Sequence, residues 1–294
     1  MALDERVGGK TTILGLIGNP VEHSVSPQLH NSLSARLGID AVYIPFKVDR
    51  ERLGDAVKGF KAVGLKGFNV TIPFKEEIVG YADDCSDEVK LIGSANTIKL
   101  SEGRAYAFNT DAEGFARSFE QQTGALFKDK RVLILGAGGT ARSIALKIAS
   151  RGASRLSISN RTVERAWDIA RMVGANSSVK AEASGVKELE DQSYLNGFDI
   201  LVNTTSLGMH PKVDESPLSD IIRLHPGQII YDVIYNPART KLLRKAESCG
   251  CKAVNGMGML FWQGILAYGI WLDVKIPDEV LNSLWQDFLN YLDK

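Results

Sequence analysis

Apolar and polar positions fall into two successive series of short strands and helices. In the first, ILGLIGN (13–19), AVYIPF (41–46) and GFNVTI (67–72) read as strands, and 27–37, 50–63 and 75–82 read as helices. Such alternation predicts parallel strands joined by right-handed crossovers. The second series opens with KRVLILGAGGTARSIALKIAS (130–150), an apolar strand running into a helical pattern. It continues through RLSISN (155–160), DILVNTT (199–205), QIIYDVI (228–234) and CKAVN (251–255). Helical patterns over 257–272 and 278–292 follow it. The expected fold class is α/β.

The longest apolar run, MGMLFWQGILAYGIWL (257–272), is interrupted by Gln263 and is short of the ~20 residues a bilayer span needs. It reads as a buried helix. The first ten residues, MALDERVGGK, carry acids and no apolar segment, so no secretory signal is expected there. Over 294 residues the formal net charge is zero, which gives no electrostatic reason to expect nucleic acid or an anionic membrane as a partner. Cys85, Cys249 and Cys251 form neither a disulfide framework nor a zinc-type spacing. No metal is expected, and the expected compartment is a reducing cytoplasm.

Chemistry enters at VLILGAGGTA (132–141), where an apolar strand meets Gly136-x-Gly138-x-x-Ala141 and a helix follows. Strand, glycine turn and helix in that order are the context of a dinucleotide-binding fingerprint. Gly136 permits the tight turn, Gly138 lets the backbone approach a diphosphate, and Ala141 keeps the helix close to the strand. At the end of the next strand, NAD sites usually carry Asp or Glu for the ribose 2′-hydroxyl. Here Asn160, Arg161 and Thr162 stand there, followed by Arg165. On a helix the two arginines would share a face and could clamp a 2′-phosphate. The expected cofactor is NADP(H).

Other polar stretches admit two readings. In SVSPQLHNSLSARLG (24–38), Ser26 suits an N-cap, Pro27 the first helical position and Gly38 the C-terminal cap. Ser24 and Ser26 also present hydroxyls beside a helix N-terminus, a receptor for a carboxylate. In FNTDAEGF (108–115), Thr110 and Glu113 fit a capping box, and Asp111 suits the first turn. GSANTI (93–98) holds Asn96 in a short polar break. In NVTIPFK (69–75), alternation puts Asn69 and Thr71 on one strand face; Pro73 should end the strand, and Lys75 follows it.

Taken in order, these stretches resemble the shikimate dehydrogenase family. The matching motifs are SVSPxxHN (24–31), NVTIPFK (69–75), SANT (94–97), NTDxxGF (109–115), GAGGTAR (136–142), NRT (160–162), NTTSLGM (203–209), YDVIYNP (231–237) and GMGMLxxQ (256–263). The resemblance implies an N-terminal α/β substrate domain, a Rossmann-type NADP-binding domain and C-terminal helices that return to the first domain. The implied boundaries are 1–110 with 257–294, and 111–256. The implied activity is reversible NADPH-dependent reduction of 3-dehydroshikimate to shikimate, by a monomer or homodimer. Broader quinate/shikimate use and a non-catalytic NADP-binding regulator are the alternatives.

Carried over position by position, the resemblance places Ser24, Ser26 and Tyr235 at the substrate carboxylate, and Thr71, Asn96, Asp111 and Gln263 at the ring hydroxyls. Lys75 and Asp111 become the catalytic pair. Gly136, Ala137, Gly138, Gly139 and Thr140 would hold the diphosphate, and Asn160, Arg161, Thr162 and Arg165 the 2′-phosphate. Val233, Gly256 and Met259 would line the nicotinamide pocket, with Asp87 a weaker contact on the cofactor side. Ketone reduction builds negative charge on the carbonyl oxygen, so a lysine there serves as a charged donor, oriented by the aspartate.

Overall fold

A computed structural model of the chain describes residues 7–292. The chain divides into two compact units, residues 1–110 with 263–294, and residues 111–262.

The first unit carries β1 (Thr12–Gly18), α1 (Ser26–Leu37), β2 (Ala41–Lys47), α2 (Leu53–Ala62), β3 (Gly67–Val70), β4 (Asp84–Cys85), α3 (Asp87–Ile92), β5 (Thr97–Ser101) and β6 (Arg104–Phe108). The predicted helix over 50–63 splits into a 3-10 turn, Arg50–Arg52, followed by α2, and the one over 75–82 shrinks to a 3-10 turn at Glu77–Tyr81. The sheet order is β2-β1-β3-β5-β6-β4. As the alternation predicts, β1 pairs in parallel with β2 and β3. From there the sheet departs from expectation, because β5 runs antiparallel to both β3 and β6. Glu102 and Gly103, at φ 52° and 74°, turn the β5–β6 hairpin, a connection whose positive φ values match the strand twist. The sequence reading left both strands out.

Phe60, Phe68, Val57, Ile78 and Val89 pack in one core of this unit. The rings of His30, Tyr43 and Trp271 gather in another. Gly67 is required there, since a Cβ would lie 2.2 Å from Trp271 Cδ1. The indole lies that close because its Nε1 donates to the Ile98 carbonyl at 2.9 Å.

The second unit carries α4 (Asp111–Thr123), β7 (Arg131–Leu135), α5 (Gly139–Ser150), β8 (Arg155–Ser159), α6 (Val163–Asn176), β9 (Lys180–Ser184), α7 (Gln192–Asn196), β10 (Ile200–Asn203), β11 (Ile229–Asp232), α8 (Lys241–Ser248) and β12 (Lys252–Val254). α9 (Met257–Leu272) starts in this unit and ends in the first, where α10 (Asp278–Leu292) follows. The six strands are all parallel in the order β12-β11-β10-β7-β8-β9, the doubly wound Rossmann arrangement. Both faces are covered, by a cluster that includes Phe115, Ile144 and Ile169 and by one that includes Leu201, Leu218 and Leu242. Burial on both faces explains why the central strands β7 (RVLIL) and β10 (ILVN) read as nearly continuous apolar runs. No described helix is long and apolar enough to cross a membrane.

His30, on α1, stacks on Tyr43 at 4.3 Å and is fully buried. Among the described residues, neither ring nitrogen has a hydrogen-bond partner. Burial lowers its pKa to about 3; nearby Asn69 acts weakly the other way, its own amide being committed to Asn96 and Thr97. The unfolded chain therefore binds the His30 proton more tightly than the folded one. The stability contributed is complete above the unfolded value of 6.5 and is lost as pH falls from there toward about 3. His30→Phe keeps the stack without a titrating group. Its melting temperature should fall less between pH 7 and pH 4.5 than the wild type's, and equal losses would show that His30 is not the acid-sensitive element.

Candidate active site

In the first unit, a buried amide network forms where β3, β5 and β6 come together. Asn96, just before β5, is only 2% exposed. Its Nδ2 donates to Thr110 Oγ1 at 2.9 Å and to Gln263 Oε1 at 3.2 Å. Its Oδ1 accepts from the Thr110 N–H at 2.8 Å and from the Thr97 hydroxyl at 3.0 Å. Its backbone carbonyl accepts from Val70 N at 2.9 Å and from Asn69 Nδ2 at 3.1 Å. Asn69 Oδ1 in turn accepts from the Tyr43 hydroxyl at 2.8 Å. Asn96 and Gln263, both predicted site residues, thus meet in one network. Tyr43, Asn69, Thr97 and Thr110 were missed as its supports, although a polar Asn69 inside the apolar run GFNV was a visible signal.

Two local readings are corrected here. Asn69 does not share an open face with Thr71; it is buried, and β3 ends at Val70. Nor do Thr110 and Glu113 cap each other: the Thr110 hydroxyl bonds to Asn96, and the Glu113 carboxylate pairs with Arg117, Lys147 and Arg151. Lys75 lies half-buried after the strand end, its carbonyl fixed by the Ala95 N–H at 2.8 Å. Asp111 is the first residue of α4 and is buried.

The serine pair is also rearranged. Ser26 is the first residue of α1 rather than its N-cap; Val25 holds the cap position and Pro27 follows. The oxygen serving the helix start is Ser24 Oγ, which accepts from Ser26 N at 3.3 Å. The Ser26 hydroxyl faces Tyr43, whose pKa burial drives well above 10. Gly38 ends the helix in the left-handed region at φ 63°, as read. Asp87 opens α3 beside the capping Ser86, a position the helix dipole explains by itself.

In the second unit, the glycine turn follows β7, at the switch point between β7 and β10 where strand order reverses. Gly136 sits at φ 105°, and a Cβ there would lie 2.6 Å from Thr204 Oγ1. Gly138 is the cap residue of α5, has open space where a Cβ would be, and leaves the helix without a side-chain cap. With Ala137, Gly139 and Thr140 half-exposed beside it, this cradle fits a diphosphate. After β8, Asn160 Nδ2 donates to the Thr162 carbonyl at 2.9 Å and fixes the loop. Arg161 lies in that loop, before Thr162 at the cap of α6, and Arg165 on the first turn. They bracket the helix start instead of sharing a helical face. Both are exposed, with no acidic partner among the described residues.

Val233 and Gly256 come together through backbone contact, and Met259 belongs to the apolar cluster against which Val233 packs. A Cβ on Gly256 would lie 2.0 Å from the Val233 carbonyl oxygen, and the Gly256 N–H donates to Ile234 O at 3.0 Å. Tyr235 follows, half-buried.

A doubly wound parallel unit with a dinucleotide fingerprint, in one chain with a mixed-sheet unit that holds a buried polar network, defines a two-domain Rossmann-type protein. The family description "Shikimate dehydrogenase substrate binding domain" matches residues 16–98, and "Shikimate / quinate 5-dehydrogenase" matches 118–233. A shikimate dehydrogenase (NADP+) of Methanopyrus kandleri is 42% identical over 283 residues, 96% of this chain and 98% of that protein. The crystal structure of a shikimate dehydrogenase bound to NADP+ superposes with TM-score 0.86 at 38% identity, covering 98% of both chains. The shikimate 5-dehydrogenase of Listeria monocytogenes, solved with shikimate and NAD, gives TM-score 0.87 at 34% identity, covering 96% of this chain and 99% of that one. The chain belongs to the shikimate dehydrogenase family.

Thr110→Val keeps the shape and removes the hydroxyl shared with Asn96. Leaving a buried amide short of a partner should cost about 1–3 kcal/mol in denaturant unfolding, and Thr110→Ser should recover most of it. A neutral valine would remove Thr110 from the network's support.

Proposed function

We propose that the chain catalyses the reversible NADPH-dependent reduction of 3-dehydroshikimate to shikimate, a step of the shikimate pathway toward chorismate and the aromatic amino acids. The observation carrying this reading is the end-to-end kinship at 42% identity with a shikimate dehydrogenase (NADP+), with Lys75 and Asp111 both in place. The setting that fits is the cytoplasm.

NADPH, when bound, supplies the hydride. The turn at Gly136, Ala137, Gly138, Gly139 and Thr140 holds the diphosphate at the start of α5, where no side chain caps the helix. Arg161 and Arg165, with the loop tied by Asn160 and Thr162 at the helix start, hold the 2′-phosphate. Val233, Gly256 and Met259 line the nicotinamide pocket, and Asp87 is a weaker cofactor-side contact. Ser24, Ser26 and Tyr235 hold the substrate carboxylate; Thr71, Asn96, Asp111 and Gln263 bond the ring hydroxyls. Lys75 presents its ammonium to the carbonyl oxygen as negative charge develops, then gives that oxygen its proton. Asp111 orients the ammonium. In the oxidation direction the Lys75–Asp111 pair takes the proton back.

A second reading, broader quinate and NAD use, is favoured by the family description "Shikimate / quinate 5-dehydrogenase" and by the NAD held in the Listeria structure. Steady-state rates with shikimate and quinate, each with NADP+ and NAD+, decide between the two. Dominant turnover of shikimate with NADP+ supports the first reading, and no turnover of either acid overturns both.

Arg161→Ala combined with Arg165→Ala should raise the KM for NADP+ far more than that for NAD+, each phosphate contact being worth about 1.5–3 kcal/mol. Equal weakening of both cofactors would remove the arginines from the 2′-phosphate. Lys75→Met keeps much of the side-chain volume and removes the charge. The kcat should drop by about 10²–10⁴-fold or more, with the KM for shikimate little changed. Near-normal kcat would reduce Lys75 to a binding residue.

A further inference from the structure

At the carboxyl ends of β10 and β11 lies a second buried network, which the proposed chemistry does not use. Asp232, the last residue of β11, has no solvent exposure, and neither do Asn203 and Thr240. Asp232 Oδ1 accepts from Asn203 Nδ2 at 3.0 Å and from the Ile234 N–H at 3.1 Å, and Oδ2 accepts from the Thr240 hydroxyl at 2.7 Å. Asn203 Oδ1 passes the restraint on, accepting from Thr205 N at 3.0 Å and Thr205 Oγ1 at 2.7 Å. Thr240 Oγ1 also accepts from Leu243 N at 3.3 Å, capping α8, and Gly208 packs against its side chain. One carboxylate therefore fastens the 204–209 loop, the 233–240 segment and the start of α8.

An apolar β11 has no need of an acid at its end, and burying one is costly without partners. Burial pushes the carboxyl up to about 6, against the pull of its three donors. What this charge holds is specific. Between Asp232 and Ile234, whose N–H it binds, lies Val233, whose carbonyl touches Gly256 so closely that no Cβ fits.

We propose that Asp232 is a positioning residue for the nicotinamide half of the cofactor, fixing the Val233 backbone through Ile234, Asn203 and Thr240. This rests on the assignment of Val233, Gly256 and Met259 to the nicotinamide pocket. The glycine turn and the arginine loop, which hold the diphosphate and 2′-phosphate, belong to other strand ends, β7 and β8. Loss of Asp232 therefore acts chiefly on the nicotinamide end of the cofactor, reaching the glycine turn only through Thr204 and Thr205, which pack against Gly136.

The test compares binding of NADP+ with binding of 2′-phospho-ADP-ribose, which has every phosphate but no nicotinamide, by calorimetry on the full chain. Asp232→Ala should weaken NADP+ about tenfold or more and leave the truncated ligand within about twofold. Thr240→Val should act in the same direction more weakly, and Thr240→Ser should restore binding. If the alanine variant does not fold, Asp232→Asn, which keeps the Oδ1 acceptor, and Thr240→Val carry the comparison. Equal losses for both ligands, or none for either, overturn the proposal. Wild-type turnover of shikimate, measured alongside, separates the cases: its absence overturns the proposed activity while the two binding constants still judge Asp232. A wild type that does not bind NADP+ overturns both.

Discussion

A polar side chain sealed from water at a strand end must find its partners inside the protein, because each bond left unmade costs about 1–3 kcal/mol. Two residues carry most of that constraint here, one in each unit. Asn96 draws its partners from the ends of β3 and β6, from Thr97 and from α9. Asp232 draws its own from β10, from the segment after β11 and from the start of α8. Moving any one loop breaks several bonds of a buried group, so the loops are set as a group. The apolar clusters hold the sheets together, and these amides and this carboxylate decide how the strand ends are arranged.

Rigid placement of this kind matters to a reaction whose charge appears only in the transition state. Groups already fixed before hydride transfer do not have to reorganise during it. Asn96 and Gln263 belong to the buried network itself, so the groups expected to touch a ring hydroxyl are held by the core. The arginines after β8 are the opposite case. Exposed and without an acidic partner among the described residues, they add little to stability and keep their charge for an anion. The groups expected to meet the substrate are thereby rigid, and those expected to meet a phosphate adaptable.

Much of this was legible in the sequence because it rests on local rules. The glycine turn, the Gly38 cap and five of the six strands of the second unit follow from backbone conformation and burial; the polar edge strand β9, KAEAS, was missed. The failures are non-local. The β5–β6 hairpin reads TIKLSEGRAYAF, too short and mixed to stand out until Glu102 and Gly103 take positive φ. The Ser26 cap failed because the helix starts one residue early, with Val25 at the cap position and Ser24 Oγ accepting the Ser26 N–H. Asn69 followed the pleat, but its neighbours across the sheet gave it a structural job. Asp232 was the clearest missed signal, an acid within the apolar run QIIYDVI, and only its contact with Thr240 eight residues on shows its use.

The helix starts sort in a way that links fold to anion chemistry. Ser86, Asp191 and Thr240 cap α3, α7 and α8 with side-chain oxygens. At α1, α5 and α6 the cap residues Val25, Gly138 and Thr162 make no such bond. The same is true of α2, but that helix only continues a 3-10 turn. Among the helix starts whose caps are described, the three remaining uncapped ones are those expected to face a carboxylate, a diphosphate and a 2′-phosphate. An oxygen at the cap position would spend the N–H donors and oppose the helix dipole's pull on an anion. Leaving those cap positions unbonded sacrifices about 1 kcal/mol each of helix stability and keeps donors for a charged ligand, although at α1 Ser24 Oγ takes the Ser26 N–H. Among α1, α3 and α5–α8, cap chemistry thus sets the three starts expected to meet an anion apart from the three capped by side-chain oxygens.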